Sequence, residues 1–261
     1  MTEMPDFMPA AAEIVLLCGA CLVLLVDLFL PERHRQVTYW LSLAVVAATA
    51  AAIGSWVPEG RVVTFTGAFV TDPLARLLKL FTCGLVALAF LYARDYLRAR
   101  DLFKGEYYVL GLFATLGIFV MISARSMLSL YLGLELLSLS LYAMVAFDRD
   151  SPVAAESAMK YFVLGAIASG CFLYGTSILY GVTGSLDLAE IATRAAGIEG
   201  LSLHLLFALS FILVGVAFKF GAVPFHMWLP DVDQGAMTPV TLFIGTAAKL
   251  GSFAMIIRVI V

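Results

Sequence analysis

The stretch VAFKFGAVPFHMWLPD, residues 216–231, decides the fold. A lysine, Lys219, stands inside an apolar run, followed by Pro224, His226, Trp228 and Pro230. A lipid-facing helix excludes the charge, and an unbroken helix excludes the proline. The apolar segment around them, 202–232, has 31 residues. As one straight helix it would extend roughly 46 Å at ~1.5 Å per residue, against a hydrocarbon core ~30 Å thick. A break is therefore expected at Gly221–Pro224. Irregular backbone survives at membrane depth only against protein or a water-filled cavity. The lysine and the proline thus have one cause: this segment faces a polar interior.

The rest of the chain supplies that setting. Of 261 residues, 62% are hydrophobic and 13% charged, about half the charge of an average soluble domain (~25%). The net charge of −3 offers no basic surface to nucleic acid. The N-terminal MTEMPDFMPAAAE is acidic and lacks the positive start of a secretory signal, so the first apolar run reads as a retained membrane helix. Eight segments approach the ~20 apolar residues a span requires: 12–30, 39–57, 74–93, 107–123, 127–147, 153–181, 202–232 and 239–261. The expected fold is an all-α, polytopic transmembrane bundle of about eight helices, the seventh broken. Ser151–Pro152 and Thr238–Pro239 read as N-caps followed by proline at the first helical position. Residues 61–70, RVVTFTGAFV, suggest a short hairpin. In 185–197, Leu188, Ile191, Ala192 and Ala195 share one face of a short interfacial helix.

Basic residues predict the orientation. The connections after the first, third and fifth segments carry Arg33, Arg35, Arg94, Arg98, Arg100, Lys104 and Arg149. Those after the second, fourth and sixth carry Arg61, Arg125 and Arg194. The first set is expected in the cytoplasm and the N-terminus outside it. All four cysteines, Cys18, Cys21, Cys83 and Cys171, lie in apolar runs. Cys18 and Cys21 form a C-x-x-C, but no second pair or nearby histidine completes a metal site, and the pair is expected to pack as small hydrophobes. No metal is expected.

Four ionisable side chains fall well inside the spans: Glu135, Lys160, Lys219 and Lys249. Each charge at mid-bilayer costs at least about 2.5–3.5 kcal/mol. Lys160 has a structural explanation, since Glu156 lies one turn before it. Asp27, Arg76 and Lys79 lie near span ends and read as interfacial. Glu135, Lys219 and Lys249 call for a functional reason. Desolvation destabilises a buried ammonium and a nearby carboxylate restores it, so such a lysine is poised to bind and release a proton. Moving or neutralising Glu135 would make Lys219 give up its proton, and Lys249 would receive it through waters. His226, beside the break, is either a relay member or a packed histidine.

At these residues the chain resembles the antiporter-like membrane subunits of respiratory complex I, and among them the N (mitochondrial subunit 2) type. The resemblance rests on K-F-G-x-x-P-F-H-x-W-x-P-D from Lys219, on Q-G-A-x-T-P-V from Gln234, and on Lys249, ten residues beyond Pro239. The glutamate in G-L-E-L-L-S-L and the lysine in S-A-M-K-Y-F-x-L-G-A, Glu135 and Lys160, fit as well. It implies a membrane-arm subunit of proton-translocating NADH:quinone oxidoreductase, with Glu135 and Lys219 as the core pair and Lys160 and Lys249 as further proton-transfer residues. It implies no cofactor in this chain, with NADH, FMN, iron–sulfur clusters and quinone bound by partner subunits. The implied partners are neighbouring antiporter-like subunits and the lipid of a bacterial inner membrane. It divides the chain into a three-helix region, 1–106, and a first five-helix repeat, 107–261. The family's second, inverted repeat is not seen before the chain stops at RVIV, so a fragment or a split subunit is expected. Two other readings compete. One is a subunit of a multisubunit cation/proton antiporter, which the Q-G-A-x-T-P-V stretch disfavours. The other is an intramembrane thiol oxidoreductase, for which Cys18 and Cys21 lie far from the charges.

Overall fold

The computed structural model describes residues 6–31, 34–58, 60–197 and 202–260; Met1–Pro5, Arg33 and Val261, which enter the sequence reading, lie outside them. The described chain is helical apart from one small hairpin. Helices α1 (Ala11–Phe29) and α2 (Gln36–Ser55) are followed by strands β1 (Val62–Thr64) and β2 (Phe69–Thr71). Then come α3 (Pro73–Ala99), α4 (Glu106–Ile122), α5 (Met127–Val145), α6 (Pro152–Thr183), α7 (Leu188–Ala196), α8 (Leu203–Phe220) and α9 (Trp228–Gly235). The last run is α10 (Thr238–Phe243), a π-helical turn (Ile244–Ala248) and α11 (Lys249–Ile260). Helices occupy all eight expected segments. Among the described residues seven runs are long and apolar enough to cross a membrane, and α4, with 17 residues, falls short of that length. It compensates by position: α4 is buried on nearly every side and packs against α1, α3, α5 and α11.

Local chemistry sets the boundaries. Asp72, Ser126, Ser151 and Asp187 each stand before a helix and accept from its first free amides, as N-cap side chains do. Thr238 departs from expectation. Met237 is the cap, because its carbonyl already receives Val240 and Thr241, so Thr238 is the first helical residue. The hairpin forms in the predicted place, Val63 pairing with Val70. It is sewn to the α4–α5 turn through Val70 N–H to Ser123 O (2.9 Å) and Arg125 N–H to Ala68 O (3.2 Å). Leu188, Ile191, Ala192 and Ala195 of helix α7 line a cavity together with Leu205, Leu209 and Ile212 of α8.

Backbone contact between α4 and α5 requires glycine. A methyl group on Gly133 would lie 2.8 Å from the Gly117 carbonyl, and one on Gly117 would lie 2.6 Å from the Leu137 amide. Small residues at such a crossing let two membrane helices touch along their backbones, and this crossing fixes the height of Glu135, two residues beyond Gly133.

At one end of the bundle Arg98 donates to Gln36 (2.5 Å) and Arg149 pairs with Glu106 (3.5 Å). At the other end Arg258 grips both oxygens of Asp72 (2.6 and 3.1 Å) and the Ile122 carbonyl (2.8 Å), tying α11 to the starts of α3 and the end of α4. Cys18 and Cys21 sit on the exposed outer face of α1 rather than in packing contacts.

Lys79 is not interfacial. Its side chain is wholly buried, 2.6 Å from Glu13 of α1, with the Phe69 and Phe119 rings beside it. The pair escaped the sequence reading because both residues lie near span ends, where the hairpin folds over them.

Burial alone would raise the Asp72 carboxyl; the Arg258 hydrogen bond and the Ala75 amide outweigh it and hold the group below the usual carboxylate range. A depressed folded value means the contribution is present above the unfolded value and is lost as pH falls through the folded one. Thermal unfolding in detergent is expected to show Asp72→Ala destabilised by about 1–2 kcal/mol near neutral pH. The difference from wild type should shrink below about pH 4. A pH-independent difference would show that the carboxylate charge is not the active element.

Candidate functional site

The site grows from a helix that stops at membrane depth. Helix α8 ends at Phe220, and Gly221 follows in the left-handed conformation (φ 77°). Residues 221–227 are non-helical before α9 begins at Trp228. The break expected at Gly221–Pro224 is in place. Thr238 to Lys249 is eleven steps, or roughly 16 Å of rise at ~1.5 Å each. The cut end that Lys249 touches therefore lies about that far along the last helical run, away from its start.

A helix C-terminus leaves its last four carbonyls without intrahelical partners. Here each finds one. The Ala217 carbonyl accepts from Ala222 N–H (2.8 Å). The Phe218 carbonyl accepts from the Trp228 indole N–H (3.0 Å) and from Gly221 N–H (3.0 Å). The Lys219 carbonyl shares the Ser252 hydroxyl (3.4 Å) with the closer Ala248 carbonyl (3.0 Å). The Phe220 carbonyl accepts from Lys249 Nζ at 2.6 Å. Lys249 therefore caps the negative end of α8, where a cation is favoured. The π-helical turn directly before it, a feature frequent at functional sites, sets the phase of α11 that brings it there.

Lys219 stands in the last turn of α8 and points the other way. It is 6% exposed, and its Nζ donates to the Ser138 hydroxyl of α5 at 2.8 Å. Glu135 lies one turn earlier on α5, half-buried, and accepts from the Ser169 hydroxyl of α6. Glu135 and Lys219 are not in contact. Each is held by a serine, beside a cleft lined by Ser138, Tyr142, Ser169 and Lys219. The space open to the centre of a water is about 10 Å³, room for about one molecule.

The two other candidates lie apart. His226 belongs to the irregular segment; its Nδ1 is buried without a protein hydrogen bond. Lys160 is exposed and paired twice, with Glu156 (2.9 Å) and with Asp231 of α9 (3.0 Å). This arrangement is the structural explanation offered for it, extended by a second carboxylate. Among the described residues no group of three or more His, Cys, Asp or Glu side chains could hold a metal. Sequence reasoning missed Ser138, Ser169, Trp228 and Ser252. Ser138 was findable, since position i+3 from Glu135 faces the same way on a helix. Ser169 and Ser252 carry no local signal.

Residues 124–261 match a family described as NADH:quinone oxidoreductase/Mrp antiporter, transmembrane. NADH-quinone oxidoreductase subunit N of Thioalkalivibrio sulfidiphilus is 57% identical over 264 residues, covering 99% of this chain and 54% of the relative. A chain in the structure of respiratory complex I from Thermus thermophilus with bound aureothin superposes with TM-score 0.79 at 32% identity, over 95% of this chain and 52% of its own. A chain of the Mrp complex from Dietzia sp. superposes with TM-score 0.77 at 22% identity, over 97% of this chain and 48% of its own, a likeness of fold alone. The chain spans about half the length of the curated relatives it matches.

A methyl group on Gly221 would meet Leu229 Cδ1 at 2.3 Å and Lys249 Nζ at 3.0 Å, in a conformation that already disfavours a side chain. Gly221→Ala is expected to lower thermal stability by at least about 1 kcal/mol. Gly54→Ala, in α2 with nothing within 4 Å, is the control and should be neutral or slightly stabilising. Equal unfolding temperatures for the two variants would contradict the cap geometry.

Proposed function

We propose, because this chain belongs to the NADH:quinone oxidoreductase/Mrp antiporter family of multi-pass membrane proteins, that it is a membrane-arm subunit of a proton-translocating NADH:quinone oxidoreductase. In this reading the chain performs no bond chemistry on a substrate. It carries protons through buried side chains and waters, driven by quinone reduction in partner subunits that hold NADH, FMN, iron–sulfur clusters and quinone. Residues 1–106 form an N-terminal region and 107–261 one antiporter-like repeat. The membrane is the bacterial inner membrane, with the N-terminus outside the cytoplasm, and neighbouring antiporter-like subunits are the partners.

One observation carries the reading: two lysines from different helices are placed at one cut helix end, Lys219 within its last turn and Lys249 on its last carbonyl, and the cleft beside Lys219 is lined by the two serines that hold Lys219 and Glu135. A static pair needs no such arrangement, because Glu135 and Lys219 would then touch. Separated, each charge is held by a neutral hydroxyl, and a proton arriving at Glu135 alters the field at Lys219 without a contact having to break. Lys219 releases its proton toward the end of α8, and Lys249 receives it through water admitted by the irregular segment. His226, with a buried nitrogen facing no protein donor or acceptor, is a further acceptor on that route. Lys160, fixed between two carboxylates at the basic end, serves as an entry group rather than a member of the central exchange.

The alternative of a cation/proton antiporter subunit shares this fold, so the fold does not separate the two. The 57% identity to an oxidoreductase subunit N favours the first, and a dependence on the transported cation would favour the second.

Proton pumping by vesicles holding the assembled complex tests the central roles. Lys219→Ala and Lys249→Ala are each expected to lower pumping at least about tenfold, with quinone-linked NADH oxidation falling in step. Lys219→Arg should not restore it, since a guanidinium stays charged throughout. Lys160→Ala should cost less than either. Wild-type pumping by Lys219→Ala in an intact complex would sink the relay.

A further inference from the structure

Lys249 has an unusual set of neighbours for a half-buried ammonium. No carboxylate is bonded to it. Its hydrogen bond goes to the Phe220 carbonyl, and its Nζ lies 5.3 Å from the centroid of the Trp228 ring, within cation–π range. Asp233 of α9 acts on it only through space. Trp228 is itself fixed on every side. It is 1% exposed, its indole N–H is bonded to the Phe218 carbonyl at 3.0 Å, and one ring face is stacked on Tyr161 at 4.5 Å and 16°. Phe218 lies against it at 5.5 Å. A core tryptophan needs none of the polar part of this arrangement.

We propose that Trp228 is a positioning residue for Lys249, its ring face standing where a carboxylate would otherwise be the counter-group; the inference rests on the relay reading above. The chemistry distinguishes the two counter-groups. A carboxylate attracts the ammonium but is also a base, so it competes for the proton, as Glu156 and Asp231 can at Lys160. An indole face and an amide carbonyl attract the ammonium and bind no proton near neutral pH. A proton that reaches Lys249 therefore stays on the amine until the next acceptor takes it. The ring quadrupole attracts the cation and not the neutral amine, so the contact strengthens on arrival and relaxes on departure. The same indole closes the end of α8 through Phe218. It thereby fixes the cut helix end and the lysine that caps it with one rigid side chain.

The test is site-specific incorporation of mono-, di- and trifluorinated tryptophan at position 228 in the assembled complex. Fluorine drains the ring quadrupole step by step and leaves shape and N–H in place. Pumping is expected to fall in steps, roughly two- to fivefold across the series, with the amount of assembled complex unchanged. The fluorine resonance of the monofluorinated protein should move when Lys249→Met removes the ammonium. Trp228→Phe should retain more pumping than Trp228→Leu; if Trp228→Leu fails to assemble, the fluorinated series still decides. A flat series and an unmoved resonance, in a complex where Lys249→Ala abolishes pumping, would overturn the proposal. Wild-type pumping by Lys249→Ala would instead overturn the relay reading, whatever the resonance does.

Discussion

Four backbone carbonyls at the end of α8 must find donors where the helix stops part-way along its apolar segment. In hydrocarbon each unsatisfied group costs several kcal/mol. A helix that stops in mid-membrane is therefore possible only where other elements bring donors to it. Here they arrive from three directions: the turn at Gly221–Ala222, the indole of Trp228 in α9, and Ser252 and Lys249 of α11. Much of the second half of the chain can be read as the delivery of those donors. The π-helical turn before Lys249 sets the phase of α11, and the Arg258 grip on Asp72 holds that helix at its far end. The glycine at 221 gives way so that Leu229 and Lys249 can approach.

This constraint joins structure to chemistry. An ammonium is an effective donor to a helix C-terminus, because it brings a full charge to the negative end of the dipole. It is also a titratable group. A fold that uses Lys249 as a cap thus places a titratable group there without a bonded carboxylate. Trp228 reinforces the same end from the aromatic side, so the cap geometry does not depend on whether a carboxylate is nearby.

The sequence made the break legible because length and proline point the same way: segment 202–232 is too long for one span, and Pro224 interrupts it. It made the spans, the hairpin at 62–71 and the amphipathic α7 legible through periodicity and β-branched residues. Long-range pairings were not legible. Glu13 and Lys79 sit 66 positions apart and near span ends, so depth along the chain gave the wrong environment until the hairpin and α4 enclosed them. Thr238 looked like a cap by residue type, yet Met237 supplies the carbonyl that starts the helix. Glu135 and Lys219 were legible as charges, and the resemblance made them the core pair. That Lys219 is bonded to Ser138 and Glu135 to Ser169, rather than to each other, depends on the rotation of α5 and α6, which no local pattern encodes.

That separation has an energetic consequence. A contact ion pair in a dry interior interacts strongly enough to hold both groups charged over a wide range of conditions. Such a pair resists the loss of either charge and would retain its proton. Held by hydroxyls instead, each charge keeps a hydrogen-bond partner, while the direct attraction between the two groups weakens with their separation. The interaction becomes shallower while both groups stay satisfied. A cleft with room for about one water lies alongside, so a further donor or acceptor can enter without repacking. In the proposed relay this shallowness is what lets a change at Glu135 be felt at Lys219 as a change in proton affinity rather than as the breaking of a bond. Gly117 and Gly133 are then part of the device, since their close crossing sets the height of Glu135 on α5.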